Sequence, residues 1–297
     1  MADTFVGYRG SNNLKKSGVA IEWTPELIQE FVKCSDDPIY FAENYMKIVN
    51  VDKGLMTIPL YDYQKEIILT AKDHRFTVAE CSRQSGKTTS ITVFVLWYII
   101  FNPNKTVAIL ANKADTAREI LSRVQLAYEH LPKWLQQGVV EWNKGSFVLE
   151  NGSRVLAAAT SSNNIRGYAV NCLIIDEAAF IDGWNEFFTS VFPTISSGES
   201  TKLILISTVN GLNHFYKITS LAREGKNNYK LISVPWDRVP GRDEKWKQEM
   251  LSGMNFDHEK FNQEFCITGD TEVVVKDKIT GETKIISIEE LYHDCSL

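Results

Sequence analysis

The feature that most constrains the fold is the stretch 80–89, which reads ECSRQSGKTT. The apolar, β-branched run 76–79 before it predicts a short buried strand, and the apolar run 88–101 after it predicts a helix. In the order strand, loop and helix, the loop N–H groups and the positive end of the helix dipole converge on one point that suits a chain of phosphates. The stretch is therefore predicted to be a phosphate-binding loop.

Three residue types give this loop its expected chemistry. Gly86 lets the backbone approach a ligand closely, Lys87 can reach the terminal phosphates, and the Thr88 hydroxyl can bind Mg²⁺. The usual pattern has a second glycine five residues before Gly86, where this chain has Cys81. Because a Gly-Lys-Thr triplet is common by chance, an ordinary loop leading into a helix remains the alternative until other motifs are considered. The predicted ATP-binding residues of the loop are Ser82, Arg83, Gln84, Ser85, Gly86, Lys87, Thr88 and Thr89.

Composition limits the class of protein. With 297 residues and 44% hydrophobic content, the chain can bury a substantial core. Its net charge of −5 excludes the global basic footprint of a free-standing nucleic-acid binder, so any contact with nucleic acid must be local. The five cysteines lack disulfide or metal-site spacing, and residues 1–13 lack the apolar core of a signal peptide. The most apolar run, 91–101, is too short to span a bilayer, so we expect a soluble intracellular protein.

Turn residues and composition predict five segments, at 1–19, 20–58, 59–235, 236–265 and 266–297. The first is rich in Gly, Asn, Ser and Lys and predicts a loose tail. The second predicts a small helical subdomain, in which Thr24 caps a helix that begins at Pro25 and is broken at Asp37-Pro38. The third predicts a P-loop core, because strand-like and helix-like runs alternate in it as they do in parallel sheets.

Within that core, the run 106–111 predicts a second buried strand and residues 114–131 an amphipathic helix. A hairpin is expected where Asn151-Gly152 separates two alternating runs. Upstream, Gln64 lies on a helix that opens near Pro59, and a glutamine amide can both donate to and accept from an adenine edge. Taken alone, Gln64 would more commonly be an exposed helix residue.

Two later strands end in polar residues. The run 172–176 leads into Asp176-Glu177, where an aspartate can hold Mg²⁺ and the neighbouring glutamate can orient an attacking water. An isolated pair of this kind is more often a solvated acidic turn, but its combination with the Gly-Lys-Thr loop favours the catalytic interpretation. A further strand, 203–206, ends in Ser207-Thr208, whose hydroxyls can sense the γ-phosphate or simply form a turn. The residues alone therefore predict a nucleoside triphosphatase that uses Mg²⁺.

Three stretches together resemble the ATPase domain of tailed-phage terminase large subunits: SRQSGKT at 82–88, IIDEA at 174–178 and STVNGLNHFY at 207–216. The likeness runs from about residue 37 to 265, and the deviant phosphate loop is the form typical of that family. It implies an α/β, RecA-like P-loop sheet flanked by helices, with ATP as the substrate and Mg²⁺ as the cofactor. It also implies double-stranded DNA, a portal protein and a terminase small subunit as partners, and a homo-oligomeric ring docked at the procapsid portal in the host cytoplasm.

The resemblance assigns roles by position. The implied set is Lys87 and Thr88 for phosphate and Mg²⁺, Asp176 for Mg²⁺, Glu177 as the catalytic carboxylate, Gln64 for adenine, Arg83 as the arginine supplied in cis, Ser207 and Thr208 for coupling, and Arg166 as a further contact. An arginine in cis has a physical use, since charge builds on the phosphoryl oxygens in the transition state. A helicase-like, nucleic-acid-stimulated ATPase of the same fold and a binding-only protein with an inert loop remain alternatives.

The stretch from Cys266 onward resembles the opening of an intein, with a first cysteine, Gly269-Asp270-Thr271 and a strand. The cysteine thiol can attack the preceding carbonyl, that of Phe265, and convert the amide to a thioester. The later intein block with threonine and histidine is absent, so residues 266–297 are interpreted as the N-terminal fragment of a split intein. A separate chain would then carry the other intein half and a nuclease domain. A truncated intein gene or a non-splicing hairpin tail are the alternatives.

Overall fold

The computed structural model describes residues 7–50, 54–160, 168–196, 198–265, 272–276 and 283–287. Its helices are α1 (Pro25–Asp36), α2 (Pro38–Tyr45), α3 (Asp62–Asp73), α4 (Lys87–Phe101), α5 (Ala114–Glu129), α6 (Trp184–Ser196), α7 (His214–Arg223), α8 (Glu244–Gly253) and α9 (His258–Phe265). Its strands are β1 (Lys47–Asn50), β2 (Gly54–Thr57), β3 (Phe76–Cys81), β4 (Thr106–Ala111), β5 (Val139–Trp142), β6 (Ser146–Leu149), β7 (Arg154–Ala159), β8 (Cys172–Asp176), β9 (Lys202–Ser207), β10 (Lys230–Val234), β11 (Glu272–Lys276) and β12 (Thr283–Ser287).

Eight strands form one sheet in the order β10-β3-β9-β8-β4-β7-β6-β5. The six strands from β10 to β7 are parallel, and β6 and β5 extend the sheet antiparallel. The central strands are near-continuous apolar runs because both of their faces are covered. The α/β class with a parallel sheet flanked by helices is therefore confirmed.

Alternate strand residues face two separate cores. Ala79, Ile109 and Ile174 belong to the larger core, with helices α1 to α5, whereas their neighbours Val78 and Leu110 belong to a second core with α6 and α7. This period of two is the geometry of a pleated strand, so one apolar run supplies both faces. A third, small aromatic cluster joins α8 and α9 through residues such as Trp246, Phe261 and Phe265.

Parallel strands direct their carboxyl ends to one edge of the sheet. Strand β9 lies between β3 and β8, with Glu80 paired to Ser207 and Asp176 paired to Ile206. The phosphate loop after β3, the acidic pair after β8 and the hydroxyls after β9 therefore meet at neighbouring strand ends. Among the described residues, no helix is long and apolar enough to cross a membrane.

The N-terminal segment departs from its prediction. Residues 7–19 are not loose, because Gly7 forms a bridge with Lys15, and Lys16 forms one with Val139 next to the edge of the main sheet. The Lys15 ammonium pairs with a carboxylate oxygen of Glu150 at 3.3 Å, and its side chain is 7% exposed. Residues 1–6 are outside the described part of the chain.

Residues 20–58 contain the predicted helices with their caps, since Thr24 accepts a hydrogen bond from the Leu27 N–H and Asp37 accepts one from Ile39. They also contain an unpredicted antiparallel pair, β1 and β2. Their apolar residues join the larger core, where Phe41 packs edge-on against the ring of Phe101 in α4. The described part of this segment is therefore built onto the main core. The boundaries of the predicted segments stay predictions.

Candidate active site

The loop between β3 and α4 is held in left-handed backbone conformations. Gln84 has φ of 56° and Gly86 has φ of 75°. This conformation favours glycine, and a side chain on Gly86 would begin 2.5 Å from the Gln64 amide nitrogen and displace it. No N–H group of residues 84–88 donates to another described residue, although those of Thr89 and Ser90 bond to the Gly86 carbonyl. The loop thus presents consecutive donors at the start of α4, as the sequence predicts.

Lys87 joins the phosphate loop to the acidic pair. Its ammonium lies 2.5 Å from a Glu177 carboxylate oxygen and 3.8 Å from an Asp176 oxygen. The motifs, 90 residues apart in sequence, are therefore adjacent in the fold. Burial disfavours the charge on Lys87, but the two carboxylates outweigh it and raise its pKa. Burial raises the pKa of Asp176 to about 6, because Lys87 pairs more closely with Glu177 and compensates Asp176 only in part.

Asp176 and Thr88 suit a magnesium ion. Mg²⁺ commonly takes one or two protein oxygen ligands and completes its shell with phosphate oxygens and waters. Asp176 is 5% exposed at the end of β8, and it faces the loop that precedes Thr88 closely enough to approach Lys87. Burial disfavours the charged form of the Asp176 carboxylate, and a bound cation would stabilise that form.

The corner after β8 is bound by the segment that follows β9. Glu177 has φ of 51°, and a short 3₁₀ turn, Ala178–Phe180, comes next. The Ala179 N–H donates to the Ser207 hydroxyl at 3.1 Å, and the Ala179 carbonyl accepts from the Asn213 amide at 2.7 Å. His214 bonds to the Ala178 carbonyl at 2.7 Å through Nε2. The predicted coupling residue Ser207 therefore touches the chain two residues beyond Glu177, the predicted catalytic carboxylate.

Thr208 is buried at 3% exposure beside Ser207, which is fully buried. An open cleft of about 740 Å³ adjoins this corner, with Asn112, Ala179, Trp184 and His214 in its wall. The Trp184 and His214 rings stack at 4.5 Å between centres. Sequence reasoning missed the corner contacts of Asn213 and His214. The quoted motif at 207–216 contains both residues, but no pattern in it indicates what they touch.

Gln64 and Arg83 lie at the loop in arrangements that the sequence does not predict. Gln64 is 4% exposed, so the exposed alternative is wrong, and its amide accepts from the Tyr61 N–H and donates to the Gly86 carbonyl. Arg83 is 63% exposed in its side chain and pairs with Glu264 of α9 at 2.7 Å. Their roles toward adenine and the transferring phosphate stay predictions. Arg166 and Cys266 lie outside the described residues.

The chain is similar to known proteins in sequence and in fold. A family model described as "Terminase large subunit, T4likevirus-type, N-terminal" matches residues 78–272. The large terminase subunits of Thermus phage G20c and Thermus virus P23-45 are each 30% identical to this chain over 175 residues, which cover 51% of this chain and 35% of theirs. The chain thus spans about a third of the length of these curated relatives.

Solved structures are similar in fold. The ATPase domain of the Thermus phage P74-26 large terminase has a TM-score of 0.57 at 23% identity, covering 67% of this chain and 91% of that one. The large terminase of bacteriophage HK97 has a TM-score of 0.66 at 18% identity, covering 82% and 56%. The large terminase of a thermophilic bacteriophage, solved in complex with ADP, has a TM-score of 0.55 at 12% identity, covering 80% and 73%.

Proposed function

Because residues 78–272 match the N-terminal part of the terminase large subunits, T4likevirus-type, the chain belongs to that family, and we propose that it hydrolyses ATP to drive the packaging of double-stranded DNA into a procapsid. The observation that carries the ATPase is the contact of Lys87 with Glu177 at 2.5 Å and Asp176 at 3.8 Å. It brings a phosphate-binding cation and two carboxylates to one strand edge, beside a loop that presents consecutive N–H donors.

The ion pair between Lys87 and Glu177 suggests how binding prepares the site. Phosphate oxygens of ATP compete with Glu177 for the Lys87 ammonium, because a polyphosphate carries more negative charge than one carboxylate. Once Lys87 turns to the phosphates, Glu177 is released to orient a water and accept its proton. The N–H groups of residues 84–88 meanwhile bind the phosphate chain at the helix N-terminus. The site is thus inhibited until its substrate arrives.

Thr88 and Asp176 would hold Mg²⁺, which neutralises charge on the phosphates. Gln64 is proposed to read adenine, which would require its amide to exchange the Gly86 carbonyl for the base. Arg83 is proposed to approach the transferring phosphate, after leaving Glu264. Ser207 and Thr208 are proposed to couple hydrolysis at the corner after β8 to movement of β9 and α7.

Glu177→Gln tests the catalytic assignment. It removes the proton acceptor while keeping the shape of the side chain, so turnover should fall by about 10²- to 10⁴-fold while ATP binding is retained. Steady-state hydrolysis with Mg²⁺ and equilibrium nucleotide titration measure the two effects. Glu141→Gln, on the exposed side of edge strand β5, is the matched control and should leave both unchanged. Unchanged turnover in Glu177→Gln would remove this residue from its role.

Packaging is proposed to involve a portal protein, a small subunit and a homo-oligomeric ring in the host cytoplasm. ATP-dependent DNA translocation into procapsids, measured by nuclease protection, tests this part. A helicase-like ATPase is the competing outcome, and ATP-dependent strand separation by this chain would favour it. Arg166 is proposed only as a further nucleotide or subunit contact.

We also propose that Cys266 starts protein splicing, on its sequence motif and on the antiparallel pair β11 and β12 that follows it. The Cys266 thiol attacks the Phe265 carbonyl carbon, the amide C–N bond breaks, a thioester forms, and the freed amine takes up the proton. Mixing with a chain that carries a C-terminal intein half and the nuclease domain should yield a ligated product without residues 266–297. Cys266→Ala should abolish that product and Cys295→Ala should not. Ligation by Cys266→Ala would refute the assignment.

A further inference from the structure

The carbonyl groups of the phosphate loop are bound from outside by side chains of distant segments. The Arg242 guanidinium donates to the carbonyl of Arg83 at 2.9 Å and to that of Gln84 at 3.1 Å. It also lies 3.3 Å from the Ser82 hydroxyl. Nη2 thus bonds two consecutive carbonyls while Nη1 reaches Ser82, and this use of both arms of one planar fork is a geometry that arginine provides and lysine does not.

The next two carbonyls are bound by helix α3. The Tyr63 hydroxyl donates to the Ser85 carbonyl at 2.8 Å, and the Gln64 amide donates to the Gly86 carbonyl at 3.2 Å. Tyr63 is 2% exposed, and burial raises the pKa of its phenol to about 12, so it stays a neutral donor. Four consecutive loop carbonyls are thus held on the outer side.

Holding the carbonyls also orients the donors. A trans peptide unit is planar, and its C=O and N–H groups point in opposite directions. When the carbonyls of residues 83–86 are turned outward, the N–H groups of residues 84–87 are turned away from the same side chains. These N–H groups have no acceptor among the described residues. The outer bonds therefore aim a row of donors at the position of a phosphate chain.

The Arg242 plane is itself fixed by an aromatic support. Its guanidinium carbon lies 4.7 Å from the centre of the Trp246 ring and 5.7 Å from that of Phe265. Both rings belong to the small cluster of α8 and α9, which packs around Phe261. The segment after β10 thus contacts the phosphate loop through Arg242, and the neighbouring rings restrict the orientation of its guanidinium.

We propose that Tyr63 and Arg242 are positioning residues that set the affinity of the phosphate loop for the diphosphate group shared by ADP and ATP. They touch no substrate and act through the peptide units that they hold. The inference rests on the proposed ATPase function, which it deepens by assigning part of the binding energy to the preorganisation of the loop.

Tyr63→Phe and Arg242→Lys test the proposal with small changes that keep the fold. Tyr63→Phe loses the bond to the Ser85 carbonyl, and Arg242→Lys loses the Nη1 arm and the planar group that lies against Trp246. The Kd for ADP and for ATP should therefore rise by the same factor, about threefold to tenfold or more. Turnover at saturating ATP should change less than about twofold, because Glu177 and its water are untouched. Isothermal titration with ADP and steady-state hydrolysis give the two numbers.

Matched controls lose comparable contacts away from the loop. Tyr40→Phe removes a hydroxyl that donates to Glu30, and Arg75→Lys alters an arginine that, directly before β3, donates to the carbonyls of Thr201 and Gly198. Both should bind ADP as the unaltered protein does. Equal Kd values for ADP in Tyr63→Phe, Arg242→Lys and these controls would overturn the proposal.

Amide hydrogen exchange of the nucleotide-free protein provides a readout that does not depend on ATP. The hydrogen-bonded N–H groups at the two ends of the loop, those of Arg83, Thr89 and Ser90, should exchange faster in both test variants than in both controls, because the loop between them is less restrained. Equal exchange rates would refute the positioning role. If the unaltered protein bound no nucleotide while exchange rose as expected, the proposed function would fail and the positioning role would stand.

Discussion

Two corners of the molecule, each at the carboxyl end of a parallel strand, carry similar strain and are held in different ways. The phosphate loop contains Gln84 with φ of 56° and Gly86 with φ of 75°, and the corner after β8 contains Glu177 with φ of 51°. A left-handed conformation costs a non-glycine residue roughly 1–2 kcal/mol. Neighbouring groups must therefore stabilise both corners.

The phosphate loop is bound by parts of the chain that lie far apart. Tyr63 precedes Ser85 by 22 residues, whereas Arg242 follows Arg83 by 159. The N–H of Arg83 also donates to the Glu264 carbonyl at 2.8 Å. Because its bonds come from two sides, the loop can move only if helix α3 or the segment of α8 and α9 moves too.

Lys87 pairs with the two carboxylates of the acidic corner, and the turn that follows them is bound by one continuous segment. Ser207, Asn210, Asn213 and His214 all contact Ala178 or Ala179, and they lie between the end of β9 and the start of α7. A shift at Glu177 would therefore be transmitted to β9 and α7 as a unit. We therefore expect the phosphate loop to be rigid and the acidic corner to transmit movement. This expectation fits the coupling role proposed for Ser207 and Thr208.

The largest expected effect comes from Gly86→Ala. The added carbon would begin 2.5 Å from the Gln64 amide nitrogen, so Gln64 must shift and release the Gly86 carbonyl, and alanine would be strained at φ of 75°. ADP affinity should fall by about 100-fold or more, because several loop donors lose their alignment together. ADP titration and thermal unfolding measure binding and stability.

Gly211→Ala is the matched control in the segment that binds the acidic corner. Gly211 has φ of 59°, and an added carbon would meet nothing within 4 Å. This variant should lose about 1 kcal/mol of stability from backbone strain alone and keep its ADP affinity. If both variants bound ADP equally well, the close contact between Gly86 and Gln64 would have no role in binding.

The positions of the two corners can be predicted from the sequence, whereas most of the side-chain contacts that stabilise them cannot. Strands β3, β4, β8 and β9 are apolar runs, and all but β4 end in recognisable motifs, so the strands and the shared edge of those motifs follow from general rules. Strand β10 was not predicted, because the run 230–234 is short and mixes polar with apolar residues. The edge strand β5 was not predicted either, and only one of its four residues is buried.

The outer contacts leave no local signal. Arg242 and Glu264 are ordinary charged residues in a polar stretch, and their partners are more than 150 residues away. The tail prediction was wrong over residues 7–19 for a related reason. Its composition is that of a loose segment, but Lys15 finds Glu150, and Leu14 is buried at 4% exposure. Tertiary contacts of single residues override composition there.

A smaller effect is expected at Asn213, which serves the corner in two ways. Its side-chain oxygen accepts from the Phe215 and Tyr216 N–H groups as the N-cap of α7, and its nitrogen donates to the Ala179 carbonyl. Asn213→Asp keeps the cap and loses the donor. Turnover should fall by about tenfold with ADP affinity nearly unchanged, the opposite of the pattern for Tyr63→Phe.

Asn213→Ala separates the cap from the corner contact. It loses both, so it should add about 1 kcal/mol of destabilisation to the effect of Asn213→Asp. Chemical unfolding measures the difference between the two variants, and steady-state hydrolysis measures their turnover. If Asn213→Asp hydrolysed ATP normally, the bond to Ala179 would be structural, and the corner would not depend on α7 for catalysis.

The smallest effect is expected at the ion pair between Arg83 and Glu264. The Arg83 side chain is 63% exposed and that of Glu264 is 20% exposed, so solvent screens the pair from the arginine side, and such pairs contribute about 1 kcal/mol or less. Glu264→Gln should therefore change stability no more than Glu66→Gln, which breaks the exposed pair with Arg238. It keeps the backbone bond from Arg83 to the Glu264 carbonyl, so the loop stays attached to α9.

Turnover distinguishes what Arg83 does once it leaves Glu264. If Arg83 stabilises charge on the transferring phosphate, Glu264→Gln removes a competing partner, so turnover should stay equal or rise modestly, whereas Arg83→Ala should lower it strongly. If the pair instead holds the loop in place, both variants should raise the KM for ATP alike. Steady-state kinetics on the two variants thus decides whether Arg83 belongs with the catalytic residues or with the outer contacts of the loop.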